Sequence, residues 1–221
     1  LVSYIMDGVG KPDVIVDGYN SPHGFSLKPS HAKMLENADL VIWVGEDLEA
    51  FLEKPLSTIA RKAQKIEIMD LKKIKKLEFR EKNIFEEHND HKEHDGHKEQ
   101  DDHKEHDDHK EHDDHKDHNG HKEKDGHEGH HHGKYDPHVW LDPINAKIII
   151  GEITNQLIKL DTNNSSVYKS NSKKALADID KLIKNIKNNL SKDLRFVVFH
   201  DAYQYFENRF GIQVLGALTV N

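Results

Sequence analysis

Apolar positions along the chain fall into blocks with different periods. In residues 1–85 short apolar runs alternate with amphipathic stretches. PDVIVDG predicts a short strand, and Pro29 with Ser30 opens a helix reaching about Asn37, with Ser30 as its N-cap. ADLVIWVG is nearly continuous in apolar residues and ends on Gly45, the pattern of a strand buried on both faces. Helices over 48–54 and 56–63 follow, broken by Pro55, and KIEIMDL predicts a third strand. Apolar periodicity resumes at DPHVWLDP. Pro143 suits the first turn of a helix running through IIIGEITNQLIKL, and a longer helix covers 166–190. Ile179, Leu182, Ile183, Ile186 and Leu190 mark one stripe on it at spacings of three and four. RFVVFHDAY predicts a strand, YQYFENRFG a helix closed by Gly211, and IQVLGALTV another strand. Strands alternating with helices indicate an α/β fold with parallel sheets.

Between these blocks periodicity changes character altogether. From His88 to His132 there is no aliphatic or aromatic residue, and every third position from 88 to 130 is histidine except Gln100 and Lys124. The underlying unit is a hexapeptide, H-K-E-H-D-[DG], too short and polar to be a solenoid repeat. Such a stretch cannot offset its ordering entropy by apolar burial, so residues 86–134 are expected to be a disordered loop in the absence of metal. At about 45 residues its root-mean-square span would be roughly 35–40 Å.

The totals sharpen the picture. Only 35% of the 221 residues are hydrophobic and 33% are charged, but the tract accounts for that imbalance. It holds sixteen acids against seven lysines, so the formal net charge of -8 is the tract's and the remainder is near neutral. No basic patch argues for nucleic acid. Cysteine is absent, which excludes disulfides and thiolate metal sites. No run approaches the ~18 apolar residues of a membrane span. LVSYIMDGVG reads as the end of a helix and LGALTVN as the end of a strand, so a chain truncated at both ends is expected.

Histidine at period three suits Zn²⁺, Ni²⁺ or Cu²⁺ rather than the harder cations. The tract's auxiliary, weak ligands would be His91, His94, His97, His103, His106, His109, His112, His115, His118, His121, His127, His130, His131 and His132. Four histidines lie outside it: His23, His31, His138 and His200. His23 follows a predicted strand and turn, His138 is set between prolines, and His200 ends a predicted strand. Open α/β sheets bind ligands at the carboxyl ends of strands. Three neutral imidazoles would leave a tetrahedral Zn²⁺ one position for water or a carboxylate. Each of these histidines taken alone is more often a hydrogen-bonded structural residue; taken jointly, next to the tract, both readings stand. His31, at the start of a helix, reads as surface. Trp43, Trp140 and the aromatic residues of 199–206 read as core.

SPHGFSLKPSHAKMLENADLVIWVGEDLEAFLEK, DPHVWLDPINAK and FVVFHDAYQYFENRFGIQVLGALTVN together resemble the zinc-specific solute-binding proteins of bacterial ABC importers, the ZnuA type. The resemblance covers nearly the whole chain in order, including a His/Asp-rich loop at this place. It implies two Rossmann-like α/β lobes with parallel sheets, joined by a long rigid helix. The segments would be 1–85 and 135–163 in the N-terminal lobe, 164–191 as the linking helix, and 192–221 as the start of an incomplete second lobe. It implies that the SPH, H-x-W-L-x-P and F-H-D-A-Y histidines, here His23, His138 and His200, hold Zn²⁺. It further implies a monomeric periplasmic protein that captures zinc for a membrane ABC permease, with no catalysis and no organic substrate. A fourth ligand is not assignable. The competing expectations are a zinc storage or buffering protein, in which the tract is the function, and a zinc hydrolase, for which Asp201 is the only adjacent base.

Overall fold

The computed structural model describes residues 1–18, 21–80, 133–191 and 193–219. The tract, with all the auxiliary histidines from His91 to His132, lies outside the described residues. A short helix α1 (Val2–Ile5) and helix α2 (Pro29–Asn37) precede the first strand. Strand β1 (Leu40–Trp43) pairs in parallel with β2 (Gln64–Glu67), Leu40 opposite Gln64 and Trp43 opposite Glu67. Helix α3 (Glu46–Thr58) makes the crossover that a parallel pair requires. Both faces of β1 are covered, as its apolar run predicts. Val41 and Trp43 pack with Leu35, Leu52 and Leu56, while Leu40 and Ile42 pack on the cluster that includes Ile149, Ile150 and Ile153. Gly45, at φ 152°, lets the chain leave β1: a Cβ there would sit 3.1 Å from Glu67 Oε1 and 3.2 Å from Met69 Cγ.

Three local expectations for this half are corrected. Residues 12–18 form no strand. Val14 is 58% exposed and only Ile15 joins the Leu35 cluster, so the alternation finds no second layer to bury. The N-cap of α2 is Lys28 rather than Ser30, and its N–H donates to His31 Nδ1 at 3.2 Å. Helix α3 continues through Pro55, which costs one N–H bond but keeps Leu52 and Leu56 on the same buried face. Its irregular residue is instead Glu49, at φ -125° and ψ 46°. The Glu49 carboxylate folds back and accepts the Val44 N–H at 2.6 Å.

After the tract, a 3₁₀ turn (Val139–Leu141) leads into helix α4 (Pro143–Leu160), whose N-cap Asp142 accepts the Ile144 N–H. Ile149, Ile150 and Ile153 on α4 are each 1% exposed, and full burial of such a side chain contributes about 1.5–3 kcal/mol. Helix α5 (Ser165–Asn189) is about 37 Å long at ~1.5 Å per residue. It buries Tyr168, Ser172 and Ala175 against the core, but the predicted stripe is not buried throughout. Leu182 is half exposed, and Ile183, Ile186 and Leu190 are only partly covered.

Strand β3 (Val197–His200) pairs in parallel with β4 (Gly216–Thr219) through helix α6 (Gln204–Phe210). Gly211 closes α6 in the left-handed region at φ 67°, as its position predicts. The expectation of an aromatic core over 199–206 holds for Tyr205 and fails for Phe199 and Tyr203. Phe199 is 73% exposed because β3 buries Val198 and turns Val197 and Phe199 outward. Tyr205 is the anchor of α6, 1% exposed. Its hydroxyl donates to the Asp136 carbonyl at 2.7 Å and accepts from the Leu77 N–H at 2.9 Å. Burial pushes the Tyr205 phenol up to about 12, so it stays a donor.

Two outcomes test this packing. Burial outweighs the backbone bonds at Glu49 and raises its pKa, so the ionised form opposes folding above that raised value. Glu49→Gln, which keeps an acceptor for Val44, is expected to raise the midpoint of thermal unfolding at neutral pH. The gain should shrink as pH falls through the raised value and vanish below the ordinary 4.5. A variant less stable than the parent at neutral pH would refute this. Tyr205→Phe strands two buried backbone groups and is expected to cost about 1–3 kcal/mol in denaturant titration; an unchanged midpoint would contradict the anchoring role.

Candidate metal centre

His138 enters the site from the tight segment joining Asp136 to α4. It is 4% exposed, and Pro137 before it is fully buried. Asp136 Oδ1 accepts the His138 backbone N–H at 2.9 Å and lies 2.7 Å from His138 Nδ1. The Trp140 ring stands beside the imidazole, 5.4 Å between centroids. Below it, the fully buried Asn145 donates to the carbonyls of Val139 and Lys75 and accepts the Lys75 N–H, fixing the turn that carries the histidine.

His200 sits at the carboxyl end of β3, half-buried. Burial, and next the neighbouring His138, lower its pKa, so it is neutral and a lone-pair donor at neutral pH. The next residue, Asp201, has its carboxyl raised mainly by burial, against the pull of the Arg80 guanidinium 3.6 Å away. Arg80 also pairs with Glu207 on α6, and Arg209 on α6 grips both oxygens of Asp142. Bidentate pairs of this kind fix geometry as well as charge. Together with Tyr205 they set the end of β3 against the segment bearing His138.

His23 comes from the exposed turn after the irregular residues 12–18. Its N–H lies 3.2 Å from Ser21 Oγ, and Gly24 takes φ 72° directly after it. Phe25 anchors this turn between the His31 and Phe51 rings, at 5.5 and 5.1 Å. His31 is therefore corrected from a surface residue without a role: it caps α2 and supports the loop that presents His23.

The three histidines converge. His23, His138 and His200 each offer a ring nitrogen within 4.8 Å of the other two. The Nε2 atoms of His138 and His200 are 3.4 Å apart. Two imidazoles on one tetrahedral Zn²⁺, at ~2.0–2.1 Å each, stand about 3.3–3.4 Å apart. That distance is long for an N–H···N bond and short for two facing lone pairs, and a shared cation satisfies it. Among the described residues this is the one such cluster of histidines and acids. It unites all three of the histidines singled out in the sequence. Asp136, Asn145, Tyr205 and the Arg80–Glu207 and Arg209–Asp142 pairs were not anticipated there. The D-x-H spacing in DPHVWLDP was the only local signal, since the other partners lie far away along the chain.

Comparison with known proteins was made on this basis. The family model described as ZnuA, zinc-uptake complex component A periplasmic, matches residues 1–221. The high-affinity zinc uptake system protein ZnuA of Brucella abortus (strain 2308) is 46% identical over 223 residues, covering 100% of this chain and 64% of that protein. Its counterpart in Haemophilus influenzae is 45% identical, with 100% and 66% covered. The chain thus spans about two thirds of the length of these relatives, slightly less for the first. Among solved structures, the periplasmic zinc binding protein TroA from Treponema pallidum superposes with a TM-score of 0.68 at 16% identity, covering 99% of this chain and 62% of that one. A crystal structure of ZnuA gives 0.65 at 20% identity, with 96% and 64% covered. Both share the α/β fold with parallel sheets.

Replacing His138 or His200 with alanine is expected to abolish tight binding of a divalent ion in a chelator-competition titration. The loss should exceed the roughly 10–100-fold that removal of an outer partner costs. His31→Ala should leave affinity within about threefold; equal losses at all three positions would show that the cluster is not the site.

Proposed function

We propose that this chain, which belongs to the ZnuA family of zinc-uptake periplasmic components, captures Zn²⁺ through His23, His138 and His200 and delivers it to a membrane ABC permease. The observation that carries the reading is the convergence of three ring nitrogens, with the 3.4 Å Nε2–Nε2 separation that a tetrahedral ion requires. Capture replaces hydration waters with neutral imidazoles and leaves a fourth position for water or a carboxylate. His at all three places favours Zn²⁺ over harder cations such as Mn²⁺.

The family's periplasmic description supports the same compartment for this protein, which would act there as a monomer. Among the described residues no helix is long and apolar enough to cross a membrane. The division into an N-terminal lobe (1–85 and 135–163), a linking helix (164–191) and the start of a second lobe (192–221) suits this role. Helix-joined lobes would restrict motion between free and loaded forms. The reading is transport and not hydrolysis. Asp201, the one adjacent base candidate, pairs with Arg80 at 3.6 Å, and the family description names zinc uptake rather than a reaction.

The histidine-rich tract serves as an auxiliary collector. Its imidazoles bind Zn²⁺ weakly and its excess of acids attracts the cation, raising the ion's concentration beside the selective site. A storage protein would invert that hierarchy, and one experiment separates the two. Deletion of residues 90–132 is expected to leave one tight zinc site in isothermal titration and to remove several weaker ones. Loss of the tight site on deletion would sink the assignment. Undiminished tight binding after joint replacement of His23, His138 and His200 would favour storage instead.

A further inference from the structure

We propose that Asp136 is a positioning residue of the metal centre, whose buried carboxylate holds His138 as the Nδ1–H tautomer and so turns its Nε2 lone pair toward the ion. This deepens the zinc reading and rests on it. The geometry is specific. A single oxygen, Asp136 Oδ1, takes both the His138 backbone N–H at 2.9 Å and the ring Nδ1 at 2.7 Å. Donor and acceptor side chains are 5% and 3% exposed, so water does not compete for either. Asp136 Oδ1 serves as the acceptor of the backbone N–H, and the ring Nδ1 faces that same acceptor oxygen. The proton between them therefore belongs to Nδ1, and in a neutral ring Nε2 is left bare. Nε2 is the atom that faces His200 Nε2 at 3.4 Å.

The rest of Asp136 is held independently of that carboxylate. Its N–H donates to the Leu77 carbonyl at 2.9 Å, and its own carbonyl receives the Tyr205 hydroxyl at 2.7 Å. Both bonds use main-chain atoms and survive replacement of the side chain. Substitution at 136 consequently tests ring orientation and tautomer with the backbone frame in place. Without the carboxylate, the neutral imidazole would divide between its two tautomers, and in one of them a proton would occupy the metal-facing nitrogen. Partners of this kind contribute about 10–100-fold in metal affinity.

The test uses the 221-residue protein, metal-free and ¹⁵N-labelled, with Asp136→Leu and Asp136→Ala variants, neither of which leaves an acceptor for Nδ1–H. Long-range ¹H–¹⁵N correlation at mildly alkaline pH reads which ring nitrogen of His138 carries the proton. The parent should show protonated Nδ1 and bare Nε2. Both variants should show a mixed or inverted pattern, together with a zinc affinity about 10–100-fold weaker in competition with a chelating dye. Asp136→Leu is close in shape to Asp and keeps the comparison available where the alanine variant does not fold. An unchanged tautomer in Asp136→Leu overturns the proposal, whether affinity is kept or lost, because a loss would then be structural. His138→Ala separates the two levels. If zinc affinity survives that change the zinc-site reading fails, whereas the tautomer result stands on the metal-free protein alone.

Discussion

The hydroxyl of Tyr205 lies where three stretches of chain meet, and much of the site depends on its two hydrogen bonds. It bridges the Leu77 N–H and the Asp136 carbonyl, groups that follow β2 and precede α4. Neither could be buried without a partner at acceptable cost. Because Tyr205 belongs to α6, satisfying them fixes α6, and with it the end of β3 five residues upstream. The distance between His138 and His200 is thus set by main-chain hydrogen bonding several residues from either ring.

Charge is arranged to the same end. The acids around the imidazoles are engaged: Asp136 with His138 Nδ1, Asp201 with Arg80, Asp142 with Arg209, and Glu207 with Arg80 and the Val214 N–H. The pairs hold the walls of the site while leaving ring nitrogens, not carboxylates, to face one another. Burial lowers the pKa of His200, so that ring meets a cation as a neutral imidazole at neutral pH.

How much of this was legible in the sequence follows from what periodicity can see. A pattern reports that a face is apolar, and it succeeds where a covering layer exists, as for β1, β2, α4 and α6. It fails where the layer is missing. Residues 12–18 read like a strand but bury none of their side chains, Ile15 being only partly covered, and the outer face of β3 leaves Phe199 exposed. The second half of the α5 stripe has the same explanation. The proline in α3 misled because two leucines on one buried face outweigh one lost hydrogen bond. Of the site, the three histidines were legible as motif positions. Their convergence, and the supporting Asn145 and Tyr205, depend on contacts about 60 residues apart or more, which no local window contains, whereas Asp136 stands two residues from His138 and left only the D-x-H spacing as its signal.

The wide spacing of the ligands has a thermodynamic consequence. His23, His138 and His200 meet only when β1, α4 and β3 are in place, so an unfolded chain offers the ion no such cluster. Cargo that binds the native state alone stabilises it, by about 2.7 kcal/mol at a hundredfold excess over the dissociation constant. Loading the selective site therefore also changes how long the protein survives. If zinc fills the proposed site, the loaded molecule would open less often than the empty one, and a protease that cuts only opened chains would spare molecules in proportion to the ion they hold.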